Sequence, residues 1–302
     1  MLILGRDDVE RLLDLDQLVV ALRDVHVQLS AGGVSMPPRI AASVPEREGF
    51  LAAMPAYVPG LPLGAKLVSV FPHNVDVPSH NALIALFDAR TGAPAAVMDG
   101  GYITGARTAA AAALAMKTLA RPDSRILAIV GTGVQARWHH RLFSHVRPWD
   151  EVRIAGRDAR KASVLAAELG AVAVETIEDA VRGADVVAAT THPADPVVRR
   201  EWLRHGVHVS SVGFNPGHWE IDRETVRDAK VVVELRAAAL APPPAGATEL
   251  QGYEGAAELG EVLAGTRPGR ESDAEITLYK SVGVAAQDLA AAAVVLAAQR
   301  AT

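Results

Sequence analysis

The chain has no cysteine. Disulfides, iron–sulfur clusters and thiolate zinc sites are therefore excluded, and a reducing compartment suits it. Its ten histidines show no HExxH or comparable ligand spacing, so no metal site is expected. His139 and His140 are adjacent; neighbours on a helix point about 100° apart, and the pair reads as a solvated helix face. Basic charge is not in excess either. The net charge of -5 gives no reason to expect a nucleic-acid backbone or an anionic membrane surface as partner. The longest apolar run, Leu289 to Ala298, falls short of the about 20 residues that a bilayer span needs. The opening MLILGRDDVERLL lacks a basic start and turns acidic within seven residues, unlike a secretory signal. A cytoplasmic protein with a small-molecule partner is expected.

What is present is enough chain, 302 residues, for two domains that each bury a core. With 50% hydrophobic and 22% charged residues, the composition is globular rather than disordered. Leu18, Leu22, Val25 and Leu29 recur at helical spacing, and Gly32-Gly33 follow as a stop signal. Phe50 to Val58, Ala65 to Phe71, Ala82 to Asp88 and Ala95 to Asp99 then form four apolar segments divided by turn residues. Strands without intervening helices predict a mostly antiparallel sheet. Ala106 to Leu119 reads as a helix. Beyond it the pattern changes: Ile126-Val130, Val152-Ala155, Val172-Val174, Val186-Ala189, Val207-Val212 and Val231-Val233 are short apolar strands, mostly separated by helix-length intervals. That alternation predicts an α/β fold with a Rossmann-type, doubly wound parallel sheet, preceded by an α+β domain. APPPAGA, 241–247, reads as a surface loop, and Val284 to Arg300 as a long alanine-rich helix.

Gly131-Thr132-Gly133-Val134-Gln135-Ala136 follows the first of these parallel strands and opens a helix. In a G-x-G-x-x-A turn the first glycine makes the bend, the second admits backbone to a pyrophosphate, and the small third residue lets helix and strand pack closely. The six residues are therefore read as dinucleotide-binding. The next strand discriminates between dinucleotides. An acid there accepts the ribose hydroxyls of NAD, whereas an arginine holds the extra phosphate of NADP. Arg157 lies 21 positions after Ala136, Gly156 stands where the acid is expected, and Asp158 and Lys161 follow. NADP(H) is favoured, with NAD(H) as the alternative; Asp158 either caps the next helix or accepts a ribose hydroxyl.

Polar groups also interrupt the apolar strands of the first half. They are Arg39 after Met36-Pro-Pro, the segment Met54-Pro-Ala-Tyr57, Lys66 within Gly64-Ala-Lys-Leu-Val, and Arg107-Thr108 within Asp99-Gly-Gly-Tyr-Ile-Thr-Gly-Ala-Arg-Thr. These blocks, with GAKLVSVFPHN, DARTGAPAAVMDGGYITGARTAAAAALA, GTGVQA, ATTHP and GRESDAEITLYKSVGVAAQD, resemble the ornithine cyclodeaminase/mu-crystallin family, which includes ketimine reductases and alanine dehydrogenases. The resemblance runs over nearly the whole chain. It implies a substrate and dimerisation domain at 1–118, a dinucleotide-binding domain at 119–283, a last helix at 284–302 returning to the first domain, and a homodimer. It further implies that Arg39 and Arg107 hold the carboxylate of an amino or imino acid, and that Lys66 lies beside the reacting nitrogen or carboxylate. Met54, Asn215 and Val282 are implied on the substrate side. Ser79, Thr108, Thr190, Thr191, Val212, Gly213 and Ser281, together with Arg107, are implied to line the cofactor. Arg270-Glu-Ser-Asp273 is read as structural.

Two departures shape the expected chemistry. Ornithine-cyclising members carry a glutamate where this chain has Ala52, and an aspartate acid/base for which Asn215 is the nearest equivalent; an amide cannot shuttle a proton. The leading expectation is hydride delivery from NADPH to the C=N carbon of an imino acid, such as 1-pyrroline-2-carboxylate, or the related amino acid dehydrogenation. The alternatives are an ornithine or lysine cyclodeaminase with bound NAD and a non-catalytic NADP-dependent small-ligand binder.

Overall fold

The computed structural model describes residues 1–215 and 217–301, which form two compact units. One unit comprises Met1–Arg107 and the segment from Val284 onward; the other is Thr108–Gly283. The division falls inside the helix 100–119 rather than after it, at Arg107 and Thr108 instead of 118 and 119.

The first unit is built on a six-stranded sheet. Its strands are β1 (Leu2–Leu4), β2 (Ile40–Val44), β3 (Gly49–Ala56), β4 (Leu63–Val70), β5 (His80–Phe87) and β6 (Pro94–Asp99), in the order β1-β6-β5-β4-β3-β2. All neighbours are antiparallel except β1 and β6. Its helices are α1 (Arg6–Leu12), α2 (Leu15–Ser30) and the start of α3 (Gly100–Leu119). Asp14 caps α2 by accepting from Gln17 N at 2.8 Å, and α2 buries Leu18, Leu22, Val25, His26 and Leu29 along one stripe. Alternation along the strands turns Met54, Lys66, Ile84 and Met98 inward as one cross-strand row. The C-terminal helix packs on α2 and on β3 to β5. Gly64 makes this possible, because a Cβ there would lie 2.6 Å from Ala85 O and 2.8 Å from Leu289 Cδ2.

The second unit holds an eight-stranded, wholly parallel sheet. Its strands are β7 (Ile126–Val130), β8 (Glu151–Ala155), β9 (Val172–Ala173), β10 (Val186–Ala189), β11 (His208–Ser211), β12 (Lys230–Val233), β13 (Ala257–Glu258) and β14 (Thr277–Lys280), in the order β13-β12-β14-β11-β10-β7-β8-β9. Helices α4 (Val134–Val146), α5 (Ala159–Leu169), α6 (Ile177–Val181), α7 (Arg223–Asp228), α8 (Arg236–Ala239) and α9 (Leu259–Leu263) connect them; the C-terminal helix is α10 (Ala285–Ala301). The core strands are fully buried valine and alanine runs, as a sheet covered on both faces requires. From β7 the chain winds outward to β9 on one side and to β10 on the other, so the sheet has its topological switch at β7.

His139 corrects the reading of a solvated histidine pair. It is fully buried on the inner face of α4, donates from Nδ1 to Gln135 O at 2.8 Å and stacks obliquely on Phe143. Burial drives its pKa down to about 4. Because adjacent helical residues diverge, only one of the pair is turned fully inward. Among the described residues no helix is long and apolar enough to cross a membrane.

Candidate functional site

The first unit buries a charged cluster on the inward face of its sheet. Lys66 is 3% exposed, Arg107 5% and Asp288 0%. Lys66 Nζ lies 3.1 and 3.0 Å from the two Asp288 carboxylate oxygens, and Arg107 Nε donates to Asp288 Oδ1 at 2.9 Å. Three elements supply the charges: β4, α3 and α10. Arg107 Nη1 also donates to Gln287 Oε1 at 2.9 Å. That fixes the Gln287 amide, so its nitrogen donates to His26 Nε2 at 3.1 Å, and the His26 ring proton sits on Nδ1.

Arg39 stands immediately before β2, half-buried, and its charge acts on Lys66. Its segment is anchored by the paired backbone of Ser35 and Tyr57. Burial is the largest influence on Lys66 and lowers its pKa to about 8; Asp288 raises it, while Arg107 and Arg39 lower it. For Asp288, burial works upward, but Arg107 and Lys66 overcome it and hold the carboxyl below its ordinary value. Two buried cations thus share one carboxylate, an arrangement with a positive charge to offer an anion.

The second unit presents the glycine turn at the carboxyl end of β7. Gly131 has φ +124°, and a Cβ there would lie 2.6 Å from Thr190 Oγ1, so both conformation and space exclude a side chain. Around Gly133 nothing would lie within 4 Å of a Cβ, and as the N-cap of α4 it supplies no side-chain bond to the first turn. Backbone amides at a helix start with open space before them suit a pyrophosphate. Ala136 is fully buried; Thr132 and Gln135 are half-buried, and Val134 is exposed. A cavity of about 310 Å³ beside the turn is lined by Thr132, Arg137, Arg160, Lys161 and Val164. Gly156 lies close to it, since a Cβ there would be 3.1 Å from Thr132 Cγ2, and Arg157 follows exposed. Asp158 takes the capping role: its Oδ1 accepts from Arg160 N and Lys161 N at 3.0 and 3.1 Å.

Other residues implied by resemblance fall into two groups. Thr190, Val212 with Gly213, and Ser281 with Val282 follow β10, β11 and β14, which are neighbours in the sheet beside β7. The structure therefore collects them with Thr191 at one carboxyl edge. Asn215 ties two of these loops together by donating to Pro193 O at 2.7 Å. Met54 joins Lys66 in the first unit, and Thr108, 8% exposed, follows Arg107 in α3. Ser79 lies in the turn before β5, where its Oγ is 3.0 Å from His80 Nδ1. Arg270 spends its guanidinium on the carbonyls of Leu119, Ser272, Glu275 and Val207 and on Thr277 Oγ1. Among the described residues no group of three or more histidines and acids is arranged to hold a metal.

Sequence reasoning missed Asp288, Gln287 and His26, and in the second unit Glu220, Glu249 and Lys280. The signal for Asp288 was present: it is an acid inside the alanine-rich segment 284–300, and a charge in a buried helix needs a partner.

A glycine turn on a parallel sheet and a cationic cluster suited to a small anion define a dinucleotide-dependent oxidoreductase. The chain belongs to the ornithine cyclodeaminase/mu-crystallin family, whose model matches residues 1–301. It is 40% identical to the ketimine reductase mu-crystallin of Mus musculus over 270 residues, covering 87% of this chain and 85% of the relative. The solved structure of Thermococcus litoralis Delta(1)-pyrroline-2-carboxylate reductase in complex with NADH and L-proline superposes with a TM-score of 0.92 at 34% identity, covering 100% of this chain and 98% of the other. An archaeal alanine dehydrogenase dimer with bound NAD gives 0.88 at 34% identity, covering 100% and 96%.

Proposed function

We propose that the protein reduces the C=N bond of a small imino acid, such as 1-pyrroline-2-carboxylate, with NADPH. The observation that carries this reading is the buried pair of cations, Lys66 and Arg107, on the Asp288 carboxylate. Arg39 and Arg107 hold the substrate carboxylate, with Asp288 keeping the Arg107 fork turned in one direction. Lys66, with its pKa near 8, is protonated at neutral pH yet able to release its proton, and it gives the imine nitrogen the positive charge that draws hydride to the carbon. NADPH, when bound, supplies that hydride. The glycine turn 131–136 takes the pyrophosphate, and Thr108, Thr190, Thr191, Val212, Gly213 and Ser281 line the dinucleotide. The chain's own contribution is then position and charge rather than covalent chemistry.

Two features favour reduction over ornithine cyclisation. Ala52 is 2% exposed, opposite Val68, and offers no acceptor for a distal amine. Asn215 is committed to Pro193 O and cannot transfer a proton. NADP(H) is favoured over NAD(H) by Gly156, by exposed Arg157 and by the cavity bearing Arg160 and Lys161, while Asp158 is engaged as a helix cap.

A homodimer formed through the outward sheet face fits Leu51, Leu67 and Leu83, which are 49%, 37% and 51% exposed with Leu67 directly opposite Leu83. The deciding experiment follows NADPH oxidation with 1-pyrroline-2-carboxylate and with acyclic imino acids, with NADH in parallel. Turnover with a cyclic or acyclic imino acid and a preference for NADPH are expected. Ammonia release from ornithine without net cofactor oxidation, or no turnover with any imine, overturns the reading.

A further inference from the structure

Beneath the carboxyl edge of the parallel sheet lies a closed frame of buried charges. Glu220 is 2% exposed, Lys280 1% and Glu249 7%. Glu220 Oε1 accepts from Thr191 N and Thr191 Oγ1, and Oε2 from Ser211 Oγ and Gly213 N, all four at 2.7 Å. A carboxylate offers about four lone-pair directions, so this one is saturated. Lys280 Nζ has three donors and three acceptors: Gly213 O at 2.6 Å, Ser211 Oγ at 3.0 Å and Glu249 Oε1 at 2.8 Å. Gly213 is thereby gripped through both of its peptide groups, at its N–H by a carboxylate and at its C=O by an ammonium. Gly213 also has no room for a Cβ, which would overlap Glu220 and Thr191 O. Glu220 is itself anchored, since Val197 N donates to its carbonyl at 3.0 Å and Val198 pairs with Ile221.

A merely cohesive core does not need this arrangement. Removing two carboxylates and an ammonium from water costs several kcal/mol per ion before pairing, and apolar residues of similar size hold a fold as well or better. What ions add is direction: here they fix three backbone atoms, Thr191 N, Gly213 N and Gly213 O. These three belong to the loops after β10 and β11, the strands that continue the sheet from the glycine turn on β7. The start of the loop after β14 has a similar brace, since Glu234 Oε1 accepts from Val282 N and Gly283 N at 2.6 and 2.7 Å.

We infer that Glu220, braced by Ser211 and Lys280, is a positioning residue that shapes the nicotinamide end of the cofactor site without touching the adenine end. The inference rests on the dinucleotide reading of this unit. On that reading the glycine turn serves the pyrophosphate and Arg157 the adenine half, and neither exchanges a bond with Glu220. Loss of the frame therefore separates the two halves of the cofactor in their affinities.

The test compares Glu220→Gln and the milder Ser211→Ala with the wild type. Binding of NADPH and of 2′,5′-ADP, which lacks the nicotinamide, is measured by calorimetry, and folding is followed by thermal unfolding. A glutamine presents an amide N–H to donors that need an acceptor. NADPH binding is expected to weaken about tenfold or more in Glu220→Gln, since a charge-assisted hydrogen bond is worth about 1.5 kcal/mol or more and 1.4 kcal/mol is tenfold. Affinity for 2′,5′-ADP stays within about twofold. Ser211→Ala shows the same separation in smaller measure, and it carries the test if Glu220→Gln does not fold. Unchanged binding of both ligands, or equal loss of both, overturns the inference. Wild-type protein that binds neither of them, nor NADH, overturns the dinucleotide reading, and the inference with it; wild type that binds NADH alone overturns only the NADP preference, and the comparison is then made with NADH and 5′-AMP.

Discussion

Replacing Asp288 by asparagine isolates the electrostatic role of the cluster, because shape is kept while the carboxylate between Lys66 and Arg107 is neutralised. At 3.0 Å, Coulomb's law with an effective dielectric of about 20 gives an attraction of about 5 kcal/mol between Lys66 and Asp288. Partial hydration and the amide dipole return much of that. A residual of only about 1.4 kcal/mol still moves the Lys66 pKa by about one unit. The direction is fixed: Asp288 raises the Lys66 pKa, so its loss takes the value further below about 8. If protonated Lys66 charges the imine, kcat/KM of the wild type falls as pH rises through about 8, and in Asp288→Asn the fall begins at least about one unit lower. Stability drops as well, by about 3–5 kcal/mol, because two buried cations lose their counter-charge. The assay is NADPH oxidation by 1-pyrroline-2-carboxylate across pH, paired with denaturant unfolding at each pH. An alkaline limb that stays in place while the overall rate falls would refute the assignment of that limb to Lys66.

Lys66 also leaves a mark on stability that requires no substrate. Its pKa is lowered in the fold from 10.5 to about 8, so the unfolded chain binds more protons between those values, and stability rises by about 3 kcal/mol as pH climbs through that window. Lys66→Met removes this rise in a comparison of unfolding midpoints at pH 8 and 10.5; an identical rise in both proteins contradicts the buried, depressed lysine. Arg157→Ala is expected to weaken NADPH about 10- to 100-fold, the loss of a charge-assisted phosphate contact, and to leave NADH within about twofold; equal effects on both cofactors refute the phosphate role. Gly131→Ala forces a Cβ into a left-handed residue beside Thr190 and costs about 1–3 kcal/mol in strain alone, read as a lower unfolding midpoint and weakened NADPH binding; wild-type values for both contradict the tight turn. Leu83→Glu places a charge in the outward apolar face and is expected to yield monomers by light scattering; a wild type that is already monomeric removes the dimer reading.

The sequence pattern carried the elements whose burial is one-sided or continuous. Leu18, Leu22, Val25 and Leu29 announce α2, and the apolar runs of β7, β10, β11 and β12 announce a parallel sheet because both faces of these strands are covered. It missed β2, every residue of which is exposed and so shows no alternation, and β13, which has only two residues. It missed β14 for a different reason: Lys280 breaks the apolar run of Thr277–Lys280, yet the lysine is buried on ionic partners that no local pattern reveals. The glycine turn was legible because its chemistry is local, with strand, bend and helix in one stretch. The cluster around Asp288 was half legible. Lys66 and Asp288 lie 222 positions apart, and only the return of α10 onto β4, allowed by Gly64, brings them together.

The two units use buried charge for opposite ends. In the second, the Glu220 carboxylate and the Lys280 ammonium spend their acceptors and donors on Thr191, Ser211, Gly213 and Glu249, and the product is a fixed loop geometry. In the first, Lys66 and Arg107 share the Asp288 carboxylate, and on the proposed reading the imbalance is what receives the substrate. A fully neutralised cluster would have no remaining field for a substrate carboxylate; a cluster without Asp288 would attract the anion more strongly but take the Lys66 pKa further below about 8. One aspartate between Lys66 and Arg107 holds the lysine's pKa up and, on the proposed reading, leaves one positive charge unanswered, which is what the carboxylate of a single imino acid supplies.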